Sequence, residues 1–146
     1  EKLRVNNLAS HGGNATVIQK VESGEKKIGI VLLENALAAI KRQSPIEVIY
    51  PKEGAIPIPS VQAIMNHSPK KKLAELFTEF ILSKEGQELL RKGYMHSIRK
   101  DVAPPEGAKA LSEITQASSY WSQEFLDTIR KQTKSIKKKY SQIVLE

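Results

Sequence analysis

Two prolines only two residues apart, Pro57 and Pro59, constrain this chain more than any other feature. They stand in PKEGAIPIPS, residues 51–60. Each fixes φ and removes a backbone donor, so residues 54–60 read as an extended crossing, neither a helix nor a central strand. The stretch beyond them is sharply punctuated. Ser68 can cap a helix and Pro69 suits its first position, where a missing N–H costs nothing. Leu73, Leu76, Phe77, Phe80 and Ile81 then recur at the helical period and make one apolar stripe. Ser83 caps a second helix, Glu85 suits the positive end of its dipole, and Leu89 and Leu90 face inward. Gly93 ends it.

Upstream, Ser10-His11-Gly12-Gly13-Asn14 reads as a loop with Asn14 capping a helix that carries Val17, Ile18 and Val21 and ends at Gly24. Small residues at a helix start leave backbone N–H groups open to anions. An ordinary glycine-rich turn explains the same residues. Ile28 to Leu33 is a continuous apolar run and reads as a strand buried on both faces. A helix with Leu33, Ala36, Leu37 and Ile40 inward comes next, broken at Ser44-Pro45. Ile46 to Tyr50 reads as a second strand, which completes a strand–helix–strand unit. In open α/β sheets ligands are met beyond the carboxyl ends of strands, where Glu34 and Asn35 stand. The alternative for these two is a solvated first turn.

Downstream, Pro104-Pro105-Glu106-Gly107 is a linker, and residues 108–114 suit a short helix. From about Ser119 one long helix carries Trp121, Phe125, Ile129, Ile136, Tyr140 and Ile143 near the helical period. The formal charge of +7 is concentrated there, in Lys134, Lys137, Lys138 and Lys139. No aromatic residues interleave with these lysines to stack bases. A small basic nucleic-acid-binding protein is the rival reading, and the bland one is a solvated helix face. With no cysteine among 146 residues, disulfides and thiolate chemistry are excluded. His11, His67 and His96 lack ligand spacing, and no GxSxG, phosphate loop or paired-carboxylate pattern occurs. No catalytic residue, metal ligand or cofactor is assigned, and the chain is not read as an enzyme.

PKEGAIPIPSVQAI, then SPKKKLAELFTEFILSKEGQELL, then IRKDV, resembles the C-terminal half of a bacterial extracellular solute-binding protein, the ligand receptor of an ABC importer. VIQKVESGEKKIGIVLLENAL matches upstream in the same order. The likeness runs from about Leu3 to Ile114 and is nearest the ferric-iron and phosphonate-type branch, of which this chain resembles a fragment. It implies an α/β fold, a partial two-lobed periplasmic-binding-protein-like architecture, helix-rich with a small parallel or mixed sheet. Residues 1–53 would belong to the second lobe, 54–60 to the hinge crossing, 61–102 to the first lobe, and 103–146 to helices returning to the second.

The resemblance implies a substrate-binding component that closes two lobes on a small solute and delivers it to an ABC permease. Its place is periplasmic or extracytoplasmic, with membrane anchoring of the full-length protein left open. Ser10, Gly12, Gly13, Asn14, Glu34 and Asn35 are the candidates for one wall of the cleft. In the iron branch, tyrosines stand just after the first of these strands. Here Leu32, Leu33, Glu34 and Asn35 occupy those places, which implies an anionic or organic solute rather than bare ferric iron. A ferric-iron receptor of the same family remains an alternative. Nucleic acid is not expected as a partner. The exposed stripe of residues 68–92 implies self-association.

Overall fold

The computed structural model describes residue 6 and residues 8–52, 54–115 and 122–144. Six helices run in order: α1 Asn14–Glu22, α2 Leu33–Lys41, α3 Lys71–Leu82, α4 Lys84–Lys92, α5 Leu111–Thr115 and α6 Gln123–Val144. Among the described residues α1 packs on α2 and α3 on α4, and no other helix pair touches.

No strand forms among the described residues, and the expected small sheet is therefore corrected to an all-helical structure. A strand is stable only when its N–H and C=O groups find a neighbouring strand. Residues 28–32 take no regular secondary structure and have no such neighbour. Ile28 and Ile30, expected inside a sheet, are 78% and 81% exposed. Gly29 lies instead against α1, where an added Cβ would come within 2.7 Å of Val17 Cγ1 and 3.1 Å of Val21 Cγ2. The second expected strand, 46–50, is likewise unpaired, with Ile49 exposed.

Hydrogen bonds at both ends of α1 and α2 fix how they lie. At the start of α1, Asn14 Oδ1 accepts the N–H of Leu32, the residue before α2, at 3.1 Å. Past the far ends, Ser44 Oγ donates to Glu22 Oε1 at 2.7 Å. The helices therefore run parallel, side by side, and residues 25–32 return along α1. Ile18, Ala36, Leu37 and Ala39 of these helices are buried, with Leu37 on the side of Gly107. Gly24, at φ 74°, makes the left-handed step after α1 that glycine allows without strain.

The α3–α4 corner is tight. Ser83 Oγ accepts the Gly86 N–H at 3.1 Å, so Ser83 is the expected cap of α4. Gly86 has no room for a side chain: a Cβ there would stand 2.1 Å from the Phe80 carbonyl oxygen and 2.9 Å from Ile81 Cα. Gly93 stops α4 as expected, but at φ −83° it is not left-handed; Tyr94 takes that conformation at φ 66°. The start of α3 falls later than its capping signal. Lys70 is the N-cap, and Ser68 Oγ accepts the Lys70 N–H at 3.3 Å in a turn ahead of the helix. The α3 stripe is exposed, and Leu89 of α4, expected to face inward, is half exposed.

Residues 102–114 connect the two helix pairs. Val102, Pro105 and Ile114 are buried. Arg91 Nε of α4 donates to the Pro104 carbonyl at 3.2 Å, and Lys41 of α2 pairs with Glu106 at 3.3 Å. Ala55 N–H donates to the Ile114 carbonyl at 2.9 Å. The Lys109 N–H donates to Tyr50 Oη at 3.3 Å, and its ammonium sits 5.3 Å from the Tyr50 ring centre. The expected short helix is α5, and the long C-terminal helix is α6; Trp121 and Ser119 lie outside the described residues.

Candidate functional site

The Asn14–Leu32 bond brings the N-termini of α1 and α2 together. The first N–H groups of any α-helix lack intrahelical partners and carry the positive end of its dipole. At α1 these groups come directly after Gly12 and Gly13, which are exposed and would have nothing within 4 Å of an added Cβ. Gly13 takes the N-cap place expected for Asn14 and makes no side-chain cap bond, so no oxygen of its own covers the helix start. At α2 the N-cap is Leu32, whose carbonyl accepts from the N–H groups of Asn35 and Ala36 at 3.1 and 3.3 Å.

The candidate wall is thus partly assembled. Gly12, Gly13 and Asn14 stand at the start of α1, and Glu34 and Asn35 in the first turn of α2. Ser10 is exposed in the loop before them. Asn14 is a structural clamp, since its side-chain oxygen is spent on Leu32. Glu34 brings a carboxylate to the positive end of α2, an acceptor beside the open donors of α1.

A groove of about 240 Å³ leads away from this mouth between the two helices. Ala15, Gln19 and Glu22 line it from α1 with Ile18 beneath, and Asn35, Ala38 and Arg42 from α2. Only Asn35 belongs to both this lining and the expected wall. Gln19, Glu22 and Arg42 were missed, although their spacing carried a signal: positions 15, 19, 22 and 35, 38, 42 each recur at the helical period. Near the mouth, one ring nitrogen of His11, Nε2, is buried with no hydrogen-bond partner among the described residues.

The LSKEGQ and RKD motifs prove to be structural. Gln87 is 3% exposed and bonded through both its amide nitrogen and its amide oxygen. Its Nε2 donates to the Ile81 carbonyl at 2.8 Å, while Oε1 accepts from Ser97 Oγ at 2.8 Å and the Ile98 N–H at 3.0 Å. Arg99 grips Asp101 with two parallel bonds, Nε to Oδ1 at 2.9 Å and Nη2 to Oδ2 at 3.1 Å, and reaches the Leu82 carbonyl at 3.4 Å. That fork holds the Asp101 carboxyl below the usual carboxylate range and raises the Arg99 guanidinium. Glu25 is lowered in the same way, chiefly by its hydrogen bond from Lys20.

Among the described residues no three of His, Asp and Glu come together as a metal site. Nor is any helix there long and apolar enough to cross a membrane.

The N-termini of two parallel helices thus open at one mouth. In comparison with known proteins, the family model of bacterial extracellular solute-binding proteins matches residues 1–138. The chain belongs to that family, whose members bind solutes outside the cytoplasm in the service of transport and are not enzymes. No curated protein and no solved structure matches it. The matched span takes in most of the lysine-rich end of α6, so the basic C-terminus falls within a transport family.

Proposed function

We propose that this chain forms one wall of the solute cleft of an ABC-importer receptor, with the mouth of α1 and α2 as the contact surface. Gly12 and Gly13 leave the first N–H groups of α1 open to an anionic group of the solute. Glu34 and Asn35 accept and donate beside it, and Ser10 borders the entrance. The meeting of two helix N-termini at the Asn14–Leu32 bond is the observation that carries this reading.

The division into lobes is the one that the family resemblance implies. The α1–α2 pair lies in one lobe with residues 103–146, and the α3–α4 pair within 61–102 in the other. Residues 54–60 are the extended crossing between them. Solute binding closes the lobes, and the closed form is what the permease meets. The cargo is a small anionic or organic solute. Tyr50 is engaged with Lys109, and no tyrosine stands beside Glu34, which argues against the ferric-iron branch.

Calorimetric titration with inorganic phosphate, a dicarboxylate and an amino acid tests the site. Gly13 is extended at φ 160° with open space around it, so Gly13→Glu is accommodated while placing a carboxylate against the donors. Binding of one solute that is lost in Gly13→Glu, with helicity unchanged, supports the site. Binding that survives the substitution, or no binding of any of the three, overturns it.

A further inference from the structure

No residue of α3 is buried. Leu73, Leu76, Phe77 and Phe80 form its apolar stripe and are 39–62% exposed. Gln62 Nε2 donates to Thr78 Oγ1 at 3.0 Å, which ties the preceding segment to the flank of the helix and leaves the stripe itself uncovered. A continuous apolar surface of this kind marks an interface.

The charges of α3 say what covers it. A helix is stabilised by acidic groups at its start and basic groups at its end. In α3 the order is reversed: Lys71 and Lys72 open the helix, Glu79 stands in its last turn, no acidic residue is in the first turn and no basic one in the last. Lys72 and Glu79 are seven residues apart, about two helical turns, so they share one edge of the stripe. Neither forms an ion pair among the described residues. Toward the dipole of its own helix this arrangement is unfavourable, and Glu75, one turn from Lys71 and Lys72, offsets it only at the start.

A second α3 laid antiparallel across the first reverses the sign. Each lysine-rich start then lies beside the carbonyl end of the other helix, and Lys72 of each copy lies beside Glu79 of the other, twice by symmetry. We propose that the α3 face is a two-fold interface between two copies of this chain, with the helices antiparallel and crossing near Glu75 and Leu76. The other exposed amphipathic helix, α6, does not pair with itself in this way. Its apolar stripe is edged by Arg130, Lys137 and Lys139, so like charges meet across it.

Sedimentation velocity on the chain without solute tests the interface independently of the cleft. The expected result is a reversible dimer that weakens as salt rises. K72E and E79K each replace two attractions by two repulsions and raise the dimer Kd about tenfold. The double variant K72E/E79K restores the Kd to within about threefold of the original. Phe77→Asp leaves a monomer with unchanged helicity. A monomer at about 100 µM overturns the proposal, because an interface with Kd near ~1 µM would be filled there. A dimer indifferent to either single reversal, a double variant weaker than both singles, or a dimer lost in Ile136→Asp but kept in Phe77→Asp also overturns it.

Discussion

The Gln87 side chain holds the backbone of Ile98: its Oε1 accepts the Ile98 N–H at 3.0 Å while its Nε2 reaches back to the Ile81 carbonyl. One buried amide thereby joins the end of α3, the body of α4 and the turn beyond it. Every bond it makes is satisfied inside a site shut off from water, where a partner left alone would be costly.

Gln87→Leu should therefore destabilise the chain although it keeps the volume and adds apolar surface. It leaves the Ile98 N–H and the Ile81 carbonyl without their partner, which costs about 2–3 kcal/mol. Urea unfolding followed by circular dichroism measures it, and a midpoint unchanged from the parent refutes the assignment.

Gly86→Ala tests the α3–α4 corner. The new methyl would meet the backbone of Phe80 and Ile81, and backbone cannot swing aside as a side-chain tip can. A loss of about 3 kcal/mol or more is expected. Ser83→Ala, which removes the cap bond and the hydroxyl's bond to the Phe80 carbonyl at 2.6 Å, should cost about 1 kcal/mol. Thermal unfolding of the two variants side by side should rank them in that order.

Asn14→Ala should loosen the mouth of α1 and α2 together. The Leu32 N–H loses its acceptor, at a cost of about 1 kcal/mol. Hydrogen exchange at Leu32 should accelerate in the variant while the Ile98 amide stays as protected as before. Equal acceleration at both would mean global destabilisation.

Acid sensitivity arises from two exposed carboxylates. Asp101 and Glu25 have folded pKa values below their unfolded ones, so both stay ionised in the folded chain at pH values where the unfolded chain already takes up protons. Their contribution is complete above the unfolded values near ~4 and disappears as pH falls through the lowered folded values. Stability should thus decline below about pH 4, more gently in Asp101→Asn, and the difference should shrink at high salt. A variant with the same acid slope as the parent would show that the Arg99 fork contributes nothing in solution.

Local structure was largely legible in the sequence. Ser83 caps α4 as its position announced, and the stripes of α1, α2, α3 and α6 fall at the helical period that their residues display. These features depend on neighbours within one or two turns, so the order of residues is enough to specify them. The family was legible too, through motifs whose order the residues carry directly. Of the candidate residues, the loop of Gly12 and Gly13 and the turn of Glu34 and Asn35 lie at neighbouring helix starts. Gln19, Glu22 and Arg42 along the groove were not singled out, because one polar face of a short helix looks like any other until a second helix faces it.

Tertiary structure decided the rest. The run from Ile28 to Leu32 has the composition of a buried strand, but a strand exists only through a lateral partner, and a linear pattern does not contain that partner. Gly29 settles instead against Val17 and Val21 of α1. Asn14 has the chemistry of a helix cap, yet its oxygen goes to Leu32, eighteen residues away. Gln87 reads as an ordinary polar residue of a helix, and only the return of residues 97 and 98 over it makes it the buried centre of a corner. In each case the sequence by itself determined which groups could bond, and the three-dimensional path of the backbone determined which did, because a hydrogen bond or a packed contact depends on distance in space rather than distance along the chain.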